Sequence, residues 1–146
     1  MLKIPYYQIE WLADFLNSIE TNAKGNRMRN AFNDEILKPH YMRFQEYITE
    51  LIELHSEKDE DGIMKQTEEK HPDYPDKFKV IFKDRDLFIT DYNELAIENA
   101  IIKITEENED IIVVIKKMIL ECDNKLSGQV ADIYDQICLK LESLNI

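Results

Sequence analysis

Leu37, Tyr41, Phe44, Ile48 and Leu51 recur at steps of 4, 3, 4 and 3, and Pro39 falls inside the run they define. Those two facts constrain the fold more than anything else in the chain. The steps are those of an a/d seam on an α-helix, and Met28, Ala31 and Phe32 continue a compatible face upstream. Proline has no N–H to donate and disfavours helical angles at the residue before it. The pattern predicts helices over about 26–37 and 39–56, with a kink or a one-turn break at Lys38–Pro39. The seam covers about two or three heptads, too few for a free-standing coiled coil. It therefore packs first within its own domain, and homo-oligomerisation through it is a secondary reading.

The stretch from Lys24 to Gly62 that holds this seam is charged at both ends. Lys24, Arg27 and Arg29 make the one compact basic cluster. They stand near a helix start, the end of the macrodipole where cations gain nothing. Two roles fit: a grip on a carboxylate or phosphate through the planar arginine fork, or ion pairs with the protein's own acidic second half, which is favoured. At the far end, Glu57, Asp59, Asp61, Gly62 and Glu68 fall at positions 1, 3, 5, 6 and 12 of an EF-hand-like loop, with Met64 at the apolar position 8. Glu at the first position, Lys65 at the ninth and Pro72 in the following segment depart from that pattern. A solvated acidic turn into a hairpin is favoured instead, with Gly62 supplying a positive φ.

The remaining elements follow from periodicity. Residues 1–5 are either a short edge strand or a lead-in, and Pro5 suits a helix's first turn. Ile9, Leu12, Ala13, Leu16 and Ile19 predict an amphipathic helix over 6–20, flanked by a partly buried Trp11, and residues 21–25 read as a loop. A weak strand is expected at 63–66 and the best strand at 77–83, where Phe78, Val80 and Phe82 alternate with Lys77, Lys79 and Lys83. Asp91 followed by Glu94 predicts a capping box opening a short helix over 92–98, and 100–104 a second strand. Residues 105–125 are read as a helix with Ile111, Ile115, Met118, Ile119 and Cys122 on one face. Ser127 is expected to cap a last helix over 128–143, with Val130, Ile133, Tyr134, Ile137 and Leu141 buried. At 146 residues with three Gly and four Pro, this is a single domain covering 1–146. Its class is α+β and predominantly helical: a long kinked helical scaffold, hairpin-like, with a small two- or three-stranded sheet around Phe78–Phe82.

Charge narrows the function. The net charge is -12, and residues 57–146 carry twelve Lys and Arg against twenty-two Asp and Glu. Such a surface repels phosphate and anionic lipid, which disfavours direct nucleic-acid or membrane binding. Cys122 and Cys138 sit in helical patterns, as buried free thiols of a reducing compartment do. Lys3, Glu10 and Asp14 interrupt any N-terminal apolar run, and Ile111–Ile115 is too short to span a bilayer, so a cytoplasmic protein is expected. His40, His55 and His71 share no metal-ligand spacing, and three glycines build no phosphate loop. No cofactor and no enzymatic activity are expected.

Three segments carry a resemblance. Lys24–Arg29 reads Lys-Gly-x-Arg-x-Arg, Lys58–Gly62 reads Lys-Asp-Glu-Asp-Gly, and Leu126–Tyr134 reads Leu-Ser-Gly-x-x-Ala-x-Ile-Tyr. In this order, behind an N-terminal helix, they resemble a family of small uncharacterised proteins of tailed phages and prophages of low-GC Gram-positive bacteria. The resemblance extends over most of the chain, and Pro39 departs from it. It implies phage origin and expression in the host cytoplasm, and it transfers no activity. The expected function is a non-enzymatic phage protein that binds another protein, as an accessory or assembly factor or a modulator of a host factor. Its expected contacts are Lys24, Arg27 and Arg29, Tyr47 on the long helix, and Asp59, Glu60 and Asp61 beyond it. The alternative is an acidic mimic of nucleic acid that inhibits a host DNA- or RNA-binding or defence protein. A calcium-binding module is the weaker third.

Overall fold

A computed structural model describes residues 1–70 and 78–146, with backbone alone at 68–70 and 78. In order, the elements are β1 (Leu2–Pro5), α1 (Tyr6–Ser18), α2 (Ala23–Ala31), a π-helical segment (Phe32–Leu37), α3 (Lys38–His55), β2 (Gln66–Lys70), β3 (Phe78–Val80), α4 (Arg85–Ala96), β4 (Asn99–Ile102), α5 (Glu109–Leu120) and α6 (Gly128–Glu142). The protein is α+β and predominantly helical. It divides into two compact units, one of Met1–Arg43 with Ile97–Ile146 and one of Phe44–Ala96. The boundary of the second unit falls within α3, a subdivision that chain length alone did not indicate.

The first unit is built on an antiparallel pair, with Leu2 opposite Ile102 and Ile4 opposite Ala100. Strand alternation places those four side chains inside and Lys3 and Ile101 outside. Pro5 ends β1 as the N-cap of α1, and the Tyr6 N–H donates to the Glu98 carbonyl at 2.9 Å. Ile9, Leu12 and Leu16 of α1 are buried as their spacing predicts. Trp11 is half-buried and stacks on Phe15 at 4.9 Å, which in turn meets Tyr134 edge-on at 5.5 Å. Ile112, Ile115 and Ile119 of α5 and Ile133, Ile137 and Leu141 of α6 complete the core. The α5 face is turned slightly from the expected one, with Ile112 buried and Ile111 half-covered. Val130 is 39% exposed, because the buried face of α6 begins one turn later, at Ile133. Ser127 does occupy the N-cap position of that helix, without a side-chain bond.

Of the kink or one-turn break expected at Lys38–Pro39, the break does not form. Lys38 keeps helical angles (φ -56°, ψ -43°), and the polypeptide stays helical from Ala23 to His55. The π-segment explains why. The Lys38 N–H reaches back five residues to the Asn33 carbonyl, leaving the ladder out of α-register just where Pro39 has no donor to offer. A missing donor and an extra residue fall on the same turn, so the helix absorbs both. The loop expected over 21–25 is also shorter. Asn22 caps α2, its Oδ1 accepting from the Gly25 N–H at 2.8 Å. A Cβ at Gly25 would collide with the Thr21 hydroxyl, which would have to turn away.

In the second unit, the small sheet expected around Phe78–Phe82 forms with two strands, and it is not the only pair among the described residues. One two-stranded sheet, β2 with β3, belongs to this unit, and the β1–β4 pair belongs to the other. Isolated bridges join Ser56 to Phe82 and Lys58 to Met64. Past β3 the burial no longer alternates: Val80, Ile81 and Phe82 are all half-covered, between exposed Lys79 and Lys83. The side chains of Lys77 and Phe78, and all of Pro72 and His71, lie outside the described residues. The helix expected over 92–98 instead begins at Arg85. Asp84 is the residue that caps it, its Oδ1 accepting from the Leu87 N–H at 3.1 Å. Asp91 lies in mid-helix with a different task.

Candidate functional site

Arg29 lies in the last turn of α2 and points back at the end of α1. Its Nη1 donates to the Leu16 carbonyl at 3.0 Å and the Ile19 carbonyl at 2.6 Å, and its Nη2 donates to Asn26 Oδ1 at 2.6 Å. The last carbonyls of a helix have no intrahelical partner and carry the negative end of its dipole. A guanidinium there answers both needs. Arg29 is thus an internal tie, as favoured, but to backbone carbonyls in place of the expected ion pair. Lys24 and Arg27 are exposed. Lys24 borders a depression of about 740 Å³ along with Lys117, Glu20 and Glu121. The basic trio is therefore not one site.

The acidic stretch is a tight hairpin turn. Lys58 pairs with Met64, and Gly62 takes φ +79°, a conformation that side-chain-bearing residues rarely adopt. Asp59 Oδ1 accepts from the Asp61 N–H at 2.9 Å and the Ile63 N–H at 3.0 Å, closing the turn from inside. Glu57 is held in a backbone ladder, donating to Ile81 O at 2.7 Å and accepting from Lys65 N at 2.8 Å. These contacts build a hairpin. The Glu68 side chain lies outside the described residues, and among the described residues no three His, Cys, Asp or Glu side chains converge as metal ligands. Glu60 and Asp61 point to solvent, while Tyr47 is half-buried on α3.

Those exposed carboxylates belong to a wider pattern. Residues 44–96 hold fifteen Asp and Glu against seven Lys and Arg, a net -8, while the other 93 residues carry -4. The acidic surplus is a property of one compact unit, where the sequence had assigned it to the whole second half. Glu46, Glu50 and Glu53 are exposed along α3, at steps of about 6 and 4.5 Å of helix rise. Leu54 and Ile63 in the same unit are 63% and 64% exposed.

Sequence reasoning missed two arrangements. In the first, His55 Nε2 meets Asp91 Oδ2 at 2.6 Å. His55 is 7% exposed and its imidazole packs edge-on to Phe88, whose ring stacks on Phe82 at 4.3 Å. A His–carboxylate pair is also the orienting part of acid–base machinery. Here the neighbouring Ser56 hydroxyl donates to the Glu53 carbonyl at 3.2 Å, not to the ring. The pair fastens the end of α3 to the middle of α4.

The second is a cleft of about 350 Å³ between α1 and the helix opposite it. Ile9, Glu10, Ala13, Asp14 and Asn17 form one wall, and Asn30, Asn33, Asp34, Leu37, Lys38 and Tyr41 the other. The π-segment makes up the centre of that second wall. Asn33 Nδ2 donates to Asn17 Oδ1 at 3.1 Å across the cleft, and Asn33 Oδ1 is shielded from solvent without a partner. The polar residues of both walls have the spacing of any solvated helix face, so no local signal marks the cleft. No family model, curated protein or solved structure matches the chain.

Proposed function

We propose that the chain is a non-enzymatic protein-binding protein of phage origin, an accessory or assembly factor or a modulator of a host factor, acting in the cytoplasm of a bacterial host. One observation carries the reading: the acidic surplus gathers on one compact unit, which also exposes Leu54 and Ile63. Charge spread for solubility alone has no reason to gather on 53 residues. Carboxylates beside bare apolar side chains offer steering to a basic partner and area to hold it. A second reading draws on the row of Glu46, Glu50 and Glu53: an acidic mimic that occupies the nucleic-acid groove of a host or defence protein.

The test is capture from infected host lysate with the whole chain as bait. A variant carrying Glu50→Lys, Glu53→Lys, Glu60→Lys and Asp61→Lys retains its fold, because all four side chains are exposed, and loses the partner. Equal capture by that variant removes the acidic unit from the proposal. If retention keeps its strength from low to high salt, the mimicry reading fails and the apolar contacts carry the binding.

A further inference from the structure

We propose that Cys122 and Cys138 are a redox pair, which closes to a reversible disulfide by exchange with a low-molecular-weight disulfide. Every residue concerned belongs to the first unit, so the inference stands apart from the acidic unit and from the protein-binding reading. One carbonyl oxygen draws the pair together. Ile119 O, in the last turn of α5, accepts from the Cys122 N–H at 3.2 Å and from the Tyr134 hydroxyl at 2.8 Å. Cys138 follows Tyr134 by one helical turn on α6, which puts both side chains on one face. There the Cys138 thiol meets the Tyr134 hydroxyl. Both cysteines thus stand at a single phenol.

The two cysteines are differently placed, and that assigns their roles. Cys122 is half-buried and lines the depression of about 740 Å³ that Lys24 and Lys117 also border, so a small disulfide can reach it. It begins the irregular stretch 122–127 between α5 and α6. With no helix beyond it, its Cα can settle within the roughly 4.4–6.8 Å that a disulfide needs. Cys138 is held inside α6. Burial pushes its thiol up, while the Tyr134 O–H beside it favours the thiolate. A thiol kept protonated attacks slowly, which makes Cys122 the attacking sulfur and Cys138 the resolving one. In the first step Cys122 loses its proton to solvent, attacks the small disulfide and releases one small thiol, leaving a mixed disulfide. In the second, Cys138 loses its proton, attacks the Cys122 sulfur and releases the other small thiol. Two protein thiols are oxidised, and one small disulfide is reduced to two thiols. A reducing compartment keeps the pair open, and a rise in its disulfide content closes it.

The experiment incubates the full, native chain with glutathione disulfide, blocks remaining thiols with N-ethylmaleimide and reads the intact mass. The expected product has lost two hydrogens, takes up no maleimide and returns to the dithiol with dithiothreitol. Peptide mapping without reduction places the bond between Cys122 and Cys138. Cys138→Ser is expected to stop at one glutathione adduct on Cys122. Cys122→Ser is expected to react at least about tenfold more slowly than Cys138→Ser. The oxidised chain melts about 5 °C or more higher, since the bond closes a loop of about 17 residues. Lasting glutathione adducts on both cysteines, a bond between two chains, or a disulfide that forms only in denaturant overturns the proposal. A lower melting temperature on oxidation overturns it as well, since the native fold would then hold the pair apart.

Discussion

Among the described residues, every large side chain essentially cut off from water, from Leu2 to Leu141, belongs to the unit formed by 1–43 and 97–146. The unit formed by 44–96 buries Phe44, Leu95 and Ala96 together with His55 and Ser56. Its aromatic rings form a half-covered row, Phe82 stacked on Phe88 and Phe88 tilted against Tyr92. One unit is held by an apolar interior and the other by stacking, a His–Asp pair and turn hydrogen bonds, under twice the net negative charge. Small units bury a lower fraction of their surface and have less to offset chain entropy. The acidic unit is expected to open at lower free energy, as binding elements commonly do.

The largest effect that tests this contrast is expected from Leu16→Ala, which empties a fully buried site in α1. A loss of about 2–5 kcal/mol is expected in denaturant unfolding, with hydrogen exchange accelerated in 1–43 and 97–146 and little changed in 44–96. Acceleration spread evenly over the chain would mean the units unfold as one. Asp91→Ala should cost less, about 1–3 kcal/mol for a buried imidazole left without its partner. Exchange locates the loss: it belongs in α3 beyond Phe44 and in α4, and its appearance in α5 or α6 would break the comparison. Arg29→Ala is expected to cost about 1 kcal/mol, by uncapping the carbonyls of Leu16 and Ile19. A thermal melt checks the cost, and Arg29→Lys should restore part of it.

The smallest effect concerns pH. Burial, then the thiol of Cys138 beside it, pushes the Tyr134 phenol up, and burial pushes the Cys138 thiol up. Groups whose folded values are raised lend stability that is complete below their unfolded values and lost as pH climbs through the folded ones. The first unit should therefore weaken as pH rises past the ordinary thiol and phenol ranges. A melting temperature followed upward from pH 8 checks this, and Tyr134→Phe should flatten part of the slope. An unchanged slope in that variant would assign the alkaline loss elsewhere. Iodoacetamide should label Cys138 more slowly than a solvated thiol.

What was legible in the sequence was what burial dictates. Ile9, Leu12 and Leu16, or Ile133, Ile137 and Leu141, announce a helix because one face must leave water. The Gly62 turn was legible for a similar local reason. The start of α4 was not: the Asp91–Glu94 spacing reads as a capping box, but Asp84 caps the helix and Asp91 bonds instead to His55. Thirty-six residues separate that pair, and no local pattern carries that distance. The break at Pro39 was misjudged because side-chain spacing reports on faces, not on which carbonyl an N–H chooses. Arg29 was recognised as an inward tie, but its acceptors are backbone oxygens and leave no mark in the sequence. The cleft escaped for a further reason: Asn17, Asn30 and Asn33 are indistinguishable from ordinary solvated residues until two helices face each other.

The π-segment has one more consequence, for insertions and deletions. A π turn holds one residue more than the α turn it replaces, and each residue of a helix advances the azimuth by about 100°. Removing Glu35 would let the ladder return to its usual step, and the local backbone would become more regular. Lys38 and Tyr41 would then rotate out of the cleft, and the ring of Pro39 would again oppose a carbonyl. The segment works as a phase setter between α2 and α3. A deletion of one residue there should be tolerated worse than most single substitutions at the same exposed positions.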